Sequence, residues 1–153
     1  MPEPNPMYFL RYKPLKEKLR TRSLSDREAL PYLVLFAGLA AVVYLLPNTE
    51  EFNTWDWIQG ILSVAFAIGG VIYAYRQNGG RQGFDLIQKY VVLGWVVTVR
   101  CVLVFIPCGI ALFLLGDSLG LISDETNGFD VLIIAGFEVI LYQRIGRHIR
   151  DTR

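Results

Sequence analysis

Two ionisable residues, Arg100 and Glu138, interrupt runs that are otherwise apolar. A charge at the centre of a bilayer costs at least ~2.5–3.5 kcal/mol on insertion scales. A guanidinium meeting a carboxylate bidentately in a low-dielectric medium is the least costly resolution. Such an intramembrane ion pair has two uses. It fixes helix register or a subunit interface, or it lines an ion or proton pathway. The first use comes ahead of the second, because only Gln59, Ser63 and Thr98 add polar groups inside the runs. Pro107 removes the hydrogen bond to the carbonyl of Leu103, and with Gly109 it marks a candidate hinge. The plainer reading is an ordinary transmembrane proline whose freed carbonyl is satisfied by neighbouring helices.

Other reactive constellations are missing from the pattern. His148 is the one histidine and lies in a basic tail, so one chain offers neither bis-histidine haem ligation nor a His-rich metal site. No metal ion and no cofactor are expected. Cys101 and Cys108 would stand about 10 Å apart on one helix, beyond disulfide reach, and read as small apolar residues. No C-x-x-C pair occurs, Gly79–Gly83 lacks the lysine of a phosphate-binding loop, and no Ser/His/Asp set is available. The chain is therefore not expected to be an enzyme.

The elements that must hold Arg100 and Glu138 follow from composition. Of the 153 residues 53% are apolar and 19% charged, and the mean hydropathy is +0.37. A soluble domain would be more polar. The formal net charge of +1 points to no nucleic-acid partner. Spans are expected at about 29–47, 57–75, 90–115 and 129–149. The fourth reaches membrane-spanning length only if its helix continues past Gln143, with Arg144 and Arg147 snorkelling to the headgroups. An interfacial or re-entrant segment is its alternative.

Sidedness is the strongest signal. Fourteen of the fifteen Lys and Arg residues fall in residues 1–28, in the loop after the second span, or from Arg144 onward, at the end of the fourth span and in the tail; Arg100 is the fifteenth. The other two loops carry Glu50, Glu51, Asp56, Asp117, Asp124, Glu125 and Asp130 and no base. Basic loops stay in the cytoplasm, so both termini are expected inside, with an even number of crossings. Residues 1–28 show no apolar signal region, which leaves the first span as the expected insertion signal. The fold expected is all-α: a polytopic membrane protein with a four-helix transmembrane bundle, N-in and C-in. A basic segment (1–28) precedes the four-span domain (29–149), and a short tail follows (150–153).

Local signals refine this picture. Ser25-Asp26-Arg27-Glu28 matches a capping box before the first span, although Pro31 would then fall in the second helical turn. Asn78-Gly79-Gly80 reads as a turn, and Gly83–Lys89 as an amphipathic lead-in to the third span. Leu15 and Leu19 are spaced to lie on a membrane surface, or the segment is a solvated tail. Small residues spaced by four, Ala37 with Ala41, Ala65 with Gly69 and Gly70 with Ala74, allow close helix packing within or between chains, and a homo-oligomer is expected. No internal repeat is visible.

These features point to a non-enzymatic module of the inner (plasma) membrane that self-assembles and engages a cytosolic partner. Lys13, Lys16, Lys18, Arg20, Arg22, Arg81, Arg144, Arg147 and Arg150 would meet that partner or acidic lipid. A sensor, anchor or effector in stress or phage defence is the role given by analogy with small membrane chains. The alternative is a small oligomeric ion channel or transporter using Arg100 and Glu138.

Overall fold

The computed structural model describes residues 12–43, 52–121, 123 and 125–153 of the chain. Regular structure among them is helical throughout: α1 (Tyr12–Arg20), α2 (Asp26–Val43), α3 (Thr54–Gln77), a 3-10 turn (Gly80–Gln82), α4 (Leu86–Ser118) and α5 (Gly128–Arg150).

α3 and α5 start from one local device. Asn53 Oδ1 accepts the backbone N–H of Trp55 and of Asp56, while the Asp56 carboxylate accepts the N–H of Asn53 at 2.8 Å. Asn127 and Asp130 repeat the arrangement at α5. Each box satisfies donors that a helix start leaves without partners and places a carboxylate at the positive end of the dipole. At α2 the Glu28 carboxylate accepts from both the N–H and the hydroxyl of Ser25, at 3.0 and 3.1 Å. The same helix carries on through Pro31, so the box caps α2 itself.

The α3–α4 connection is tightly built. Gly79 and Gly80 take left-handed backbone, φ 100° and 57°, which glycine adopts without a Cβ penalty. Asn78 Nδ2 donates to the carbonyl of Phe84 at 2.9 Å, and Gly83 passes so close to Asn78 that no Cβ fits. Asp85 is also left-handed, at φ 48°. The expected helical lead-in therefore begins only at Leu86, because residues 83–85 are drawn into the turn by Asn78.

α3 and α5 run parallel in one register. The Trp55 ring meets Gly128, Tyr142 lies on Gly70 and Tyr73 lies on Gly146. α4 runs antiparallel to α5, and the rings of Phe105 and Phe137 stand 4.2 Å apart between centroids. α2 packs beside α4, with Ala29 and Leu33 near Leu86 and Val91. α3 packs far more on α5 than on α4, so the long helices stand in the order α2, α4, α5, α3. One end of this row gathers α1, the starts of α2 and α4 and the ends of α3 and α5. We call it the basic end. The opposite end holds the capping boxes.

The buried core sits at the basic end, where Leu15, Leu19, Leu24, Tyr32, Val92, Val96, Ile145 and Ile149 cluster. Leu15 and Leu19 are 1% and 2% exposed. Their stripe packs on the protein itself, which differs from both the membrane-surface and the solvated-tail expectation. Two leucines one turn apart fill the apolar notch over the first turns of α4, and protein contact there substitutes for lipid or water.

Elsewhere the large apolar residues face outward, including Ile61, Val64 and Ile68 of α3, Leu103 and Ile110 of α4, and Leu132 and Ile140 of α5. Two of the described helices, α3 and α4, are long and apolar enough to cross a membrane. At ~1.5 Å rise per residue they measure roughly 36 and 50 Å against a hydrocarbon layer of ~30 Å. Only 11% of the apolar window of each is buried. The core helix of a soluble protein would cover such a surface, so the outward faces suggest a membrane protein. α5 is one unbroken helix through Gln143, Arg144 and Arg147.

Candidate functional site

The basic end is a platform locked by polar ties. Lys16 Nζ lies 2.7 Å from Asp151 Oδ2, which joins α1 to the residue after α5. Lys18 Nζ lies 2.7 Å from Glu28 Oε1, which joins α1 to α2. Gln88 Nε2 donates to the carbonyl of Leu24 at 3.1 Å. The Lys18 hydrogen bond, with help from Ser25, pulls the Glu28 carboxyl down to about 2. Hydrogen bonding from Lys16 holds the Asp151 carboxyl below its ordinary value.

At the centre of the platform lies Lys89, which is 0% exposed. Its ammonium donates to Asn78 Oδ1 at 3.0 Å and to the carbonyl of Thr152 at 3.1 Å, and stands 3.5 Å from the centroid of the Phe84 ring. Buried ammonium groups are costly unless their donors are satisfied. Here two acceptors and a ring face do so. The Arg22 guanidinium also lies over Phe84, 3.8 Å from the ring centroid. In the sequence Lys89 is only one more topology-setting charge. The nearest hint of its role is the Asn78 turn, which sets Asn78 and Lys89 at the facing ends of one connection.

Of the cations expected to meet a partner or lipid, Lys13, Arg20, Arg22, Arg81, Arg147 and Arg150 are exposed around this platform, and so is Arg144. Lys16 and Lys18 are half-buried in the ion pairs just described.

Between α4 and α5 runs a groove of about 560 Å³. Val104, Phe105, Leu112, Ile133, Phe137 and Ile140 wall it, and Cys101 and Cys108 add thiols. Arg100, Arg144 and His148 stand at its basic end. The structure thus brings Arg100 level with Arg144. Glu138 does not line the groove. It lies on the α5 stripe that carries buried Val131 and Ile145, two helical turns from each, and its Oε2 is buried with no hydrogen-bond partner. Arg100 lies roughly 6 Å closer to the basic end than Glu138, from the antiparallel register set by Phe105 and Phe137 and the helical rise.

Pro107 is exposed within the unbroken α4, and a Cβ on Gly109 would make only ordinary contact with Phe105. Gly70 and Ala74 are buried in the α3–α5 seam, where the Tyr142 ring takes the space a Cβ at Gly70 would need. The reciprocal Tyr73 on Gly146 escapes a search for small residues spaced by four, because Gly146 has no small partner at that spacing. Ala65 and Gly69 border a smaller open pocket of about 220 Å³ beside Val139 and Tyr142. The side chains of Ala37 and Ala41 lie outside the described residues.

Comparison with protein-family models, with curated proteins and with solved structures finds no match to this chain.

Proposed function

We propose that this chain is a non-enzymatic integral membrane module that crosses the inner membrane four times, keeps both ends in the cytoplasm, assembles with copies of itself and engages a cytosolic partner. The observation that carries the reading is the platform at the basic end. α1, the α3–α4 turn and the end of α5 are tied together there, and Lys13, Arg20, Arg22, Arg81, Arg147 and Arg150 are displayed around one surface. A lone topology signal needs loose positive charge and no buried network beneath it. The opposite end presents Asp56 and Asp130 at the helix starts, and that charge asymmetry supports N-in and C-in orientation. Outward apolar faces on α3 and α4 supply surface for lipid and for a second copy. A sensor, anchor or effector reads the state of its partner through such a platform.

Two measurements test the proposal. Reporter fusions at each end must both report a cytoplasmic location, and one external end overturns the topology. A crosslinked pull-down must capture a cytosolic protein with the native chain and lose it with Arg20→Glu/Arg147→Glu. An empty pull-down, or capture that ignores charge reversal, overturns the partner.

The buried Glu138 Oε2 without a hydrogen-bond partner favours one second reading, a small oligomeric channel or transporter using Arg100 and Glu138. Loss of ion flux in liposomes for Arg100→Ala and Glu138→Ala, with the oligomer intact, would favour it. Assembly lost in the single variants and restored in Arg100→Glu/Glu138→Arg would favour an ion pair that holds the helices together.

A further inference from the structure

We propose that α1 is a latch with two docking places. One is the notch at the basic end, where the structure holds it. The other is the surface of an acidic bilayer, to which it moves when acidic lipid is dense. The inference rests on the basic end lying at a membrane surface and is independent of any cytosolic partner.

One face of α1 suits both places. Leu15 and Leu19 share a buried cluster with Val92 and Val96 of α4 and with Ile145 and Ile149 of α5. Lys16 and Lys18 flank the leucine stripe, each about 80° around the helix from its middle. In the notch each of these cations meets a carboxylate, Asp151 and Glu28, at 2.7 Å. The notch is thus an apolar floor between two acidic groups. An acidic bilayer surface offers the same pattern, with acyl chains below and phosphates around them. A helix with an apolar stripe and flanking lysines lies in such an interface, its lysine stems snorkelling to the headgroups. α1 carries Lys13, Lys16, Lys18 and Arg20 against the one acid Glu17. Lys13 and Arg20 are exposed and take no part in the two ties. Near acidic lipid each adds attraction that the notch does not supply.

The hold on α1 is light. The helix has nine residues, fewer than the ~12–15 that an isolated helix needs, so its order depends on what it leans against. Both ion pairs are partly exposed, and exposed pairs contribute little. The link to α2 passes through Arg22, a non-glycine residue in left-handed backbone at φ 52°. Such a conformation persists only where its surroundings hold it, and the Arg22 guanidinium is held over the Phe84 ring. Release of α1 lets this link relax. It also uncovers Val92, Val96 and Ile149, and that cost keeps α1 docked beside neutral lipid. Acidic lipid binds one state and not the other, which is what moves such an equilibrium. A soluble polyanion offers charge without an apolar layer for the leucines.

The test uses the full chain in nanodiscs of phosphatidylcholine, with and without phosphatidylglycerol. A zero-length carbodiimide crosslinker joins Lys16 to Asp151 and Lys18 to Glu28 only while α1 is docked, and mass spectrometry reads the yield. A trace of photoreactive lipid reads the other state by labelling residues 12–20. In phosphatidylcholine the crosslinks are expected to be abundant and the label sparse. Phosphatidylglycerol should lower the crosslinks and raise the label. Lys13→Gln/Arg20→Gln keeps both ties and should lower the ratio of displaced to docked helix about twenty-fivefold. Glu28→Gln removes one tie and should raise the label, with the Lys16–Asp151 crosslink falling in step. Inositol hexakisphosphate added to phosphatidylcholine nanodiscs should change neither reading. Equal readings in the two lipids, crosslinks lost without lipid label, displacement by inositol hexakisphosphate, or undiminished displacement of Lys13→Gln/Arg20→Gln would each overturn the proposal. If a variant fails to fold, the lipid comparison on the native chain still decides. Both faces of a nanodisc carry the same lipid, so an inverted topology or an empty pull-down leaves these readings unchanged and the two readings of function fail separately.

Discussion

The ammonium of Lys89, in the first turn of α4, donates a hydrogen bond of 3.1 Å to the backbone carbonyl of Thr152, just past the last turn of α5. That bond joins two segments far apart in sequence at a buried point, and it makes the basic end one mechanical unit. Replacing Lys89 by Met should leave the carbonyl of Thr152 and Oδ1 of Asn78 without that donor. The expected loss is ~1–3 kcal/mol for each acceptor stranded in the core. Thermal unfolding in detergent would show it, and amide exchange at residues 149–153 should rise with it. An unchanged melting temperature would mean that the contact carries no stability.

The α3–α5 seam gives a sharper contrast. Tyr142 occupies the space beside Gly70, whereas nothing lies near the neighbouring Gly69. Gly70→Ala should force the ring aside and cost about 1–3 kcal/mol, as overpacking does. Gly69→Ala should be neutral or stabilising by up to ~1 kcal/mol, because alanine is the better helix former. Gly146→Ala should behave like Gly70→Ala, since Tyr73 stands over it. Parallel melting curves for the three variants check the pattern, and equal effects at 69 and 70 would refute it.

The capping boxes differ in their expected weight. Asn53→Ala and Asn127→Ala should each destabilise by ~0.5–2 kcal/mol. Asn53 should sit at the upper end, because its amide donates to the carbonyl of Thr126 at 2.8 Å and so links the starts of α3 and α5, whereas the Asn127 amide donates only within its own loop, to the Leu121 carbonyl and the Ser123 hydroxyl. Denaturant or thermal unfolding of the two variants ranks them.

Acid should loosen α1. Glu28 titrates at about 2 in the fold against an ordinary 4.5, because Lys18 and Ser25 bond its ionised form. A depressed carboxyl binds fewer protons in the native state than when unfolded. Its stabilisation is therefore complete above about pH 4.5 and is lost as pH falls towards 2. Between those values the native chain should lose melting temperature faster than Glu28→Gln. Identical pH slopes would show that the Lys18 contact is not what couples α1 to α2.

Part of this architecture is legible along the chain, because it depends on short-range spacing. The apolar runs, the glycine turn after Asn78 and the box at Ser25–Glu28 are written within a few residues of each other, and the helices begin and end close to them. Gly70 and Ala74 announce a close approach by their size alone. The boxes at Asn53–Asp56 and Asn127–Asp130 carry the same kind of local signature. Their Asp residues are easily read as loop charge alone, because acid at an outer loop already has a topological use.

What needed the tertiary structure is whatever depends on which faces meet. Spacing showed that Leu15 and Leu19 share a side of a helix, but not that the notch over α4 would receive them. Lys89 reads as one more positive charge; its burial follows from the α3–α4 turn bringing Asn78 and Phe84 to its ammonium while the end of α5 supplies a carbonyl. Arg100 and Glu138 are both visible as charges out of place. Their depths, and the fact that one lines a groove while the other turns to a different face, are set by the Phe105–Phe137 register. Sequence fixes the periodicity of each helix because that is local chemistry, whereas rotation and axial offset between helices are decided by how side chains interlock across the seam.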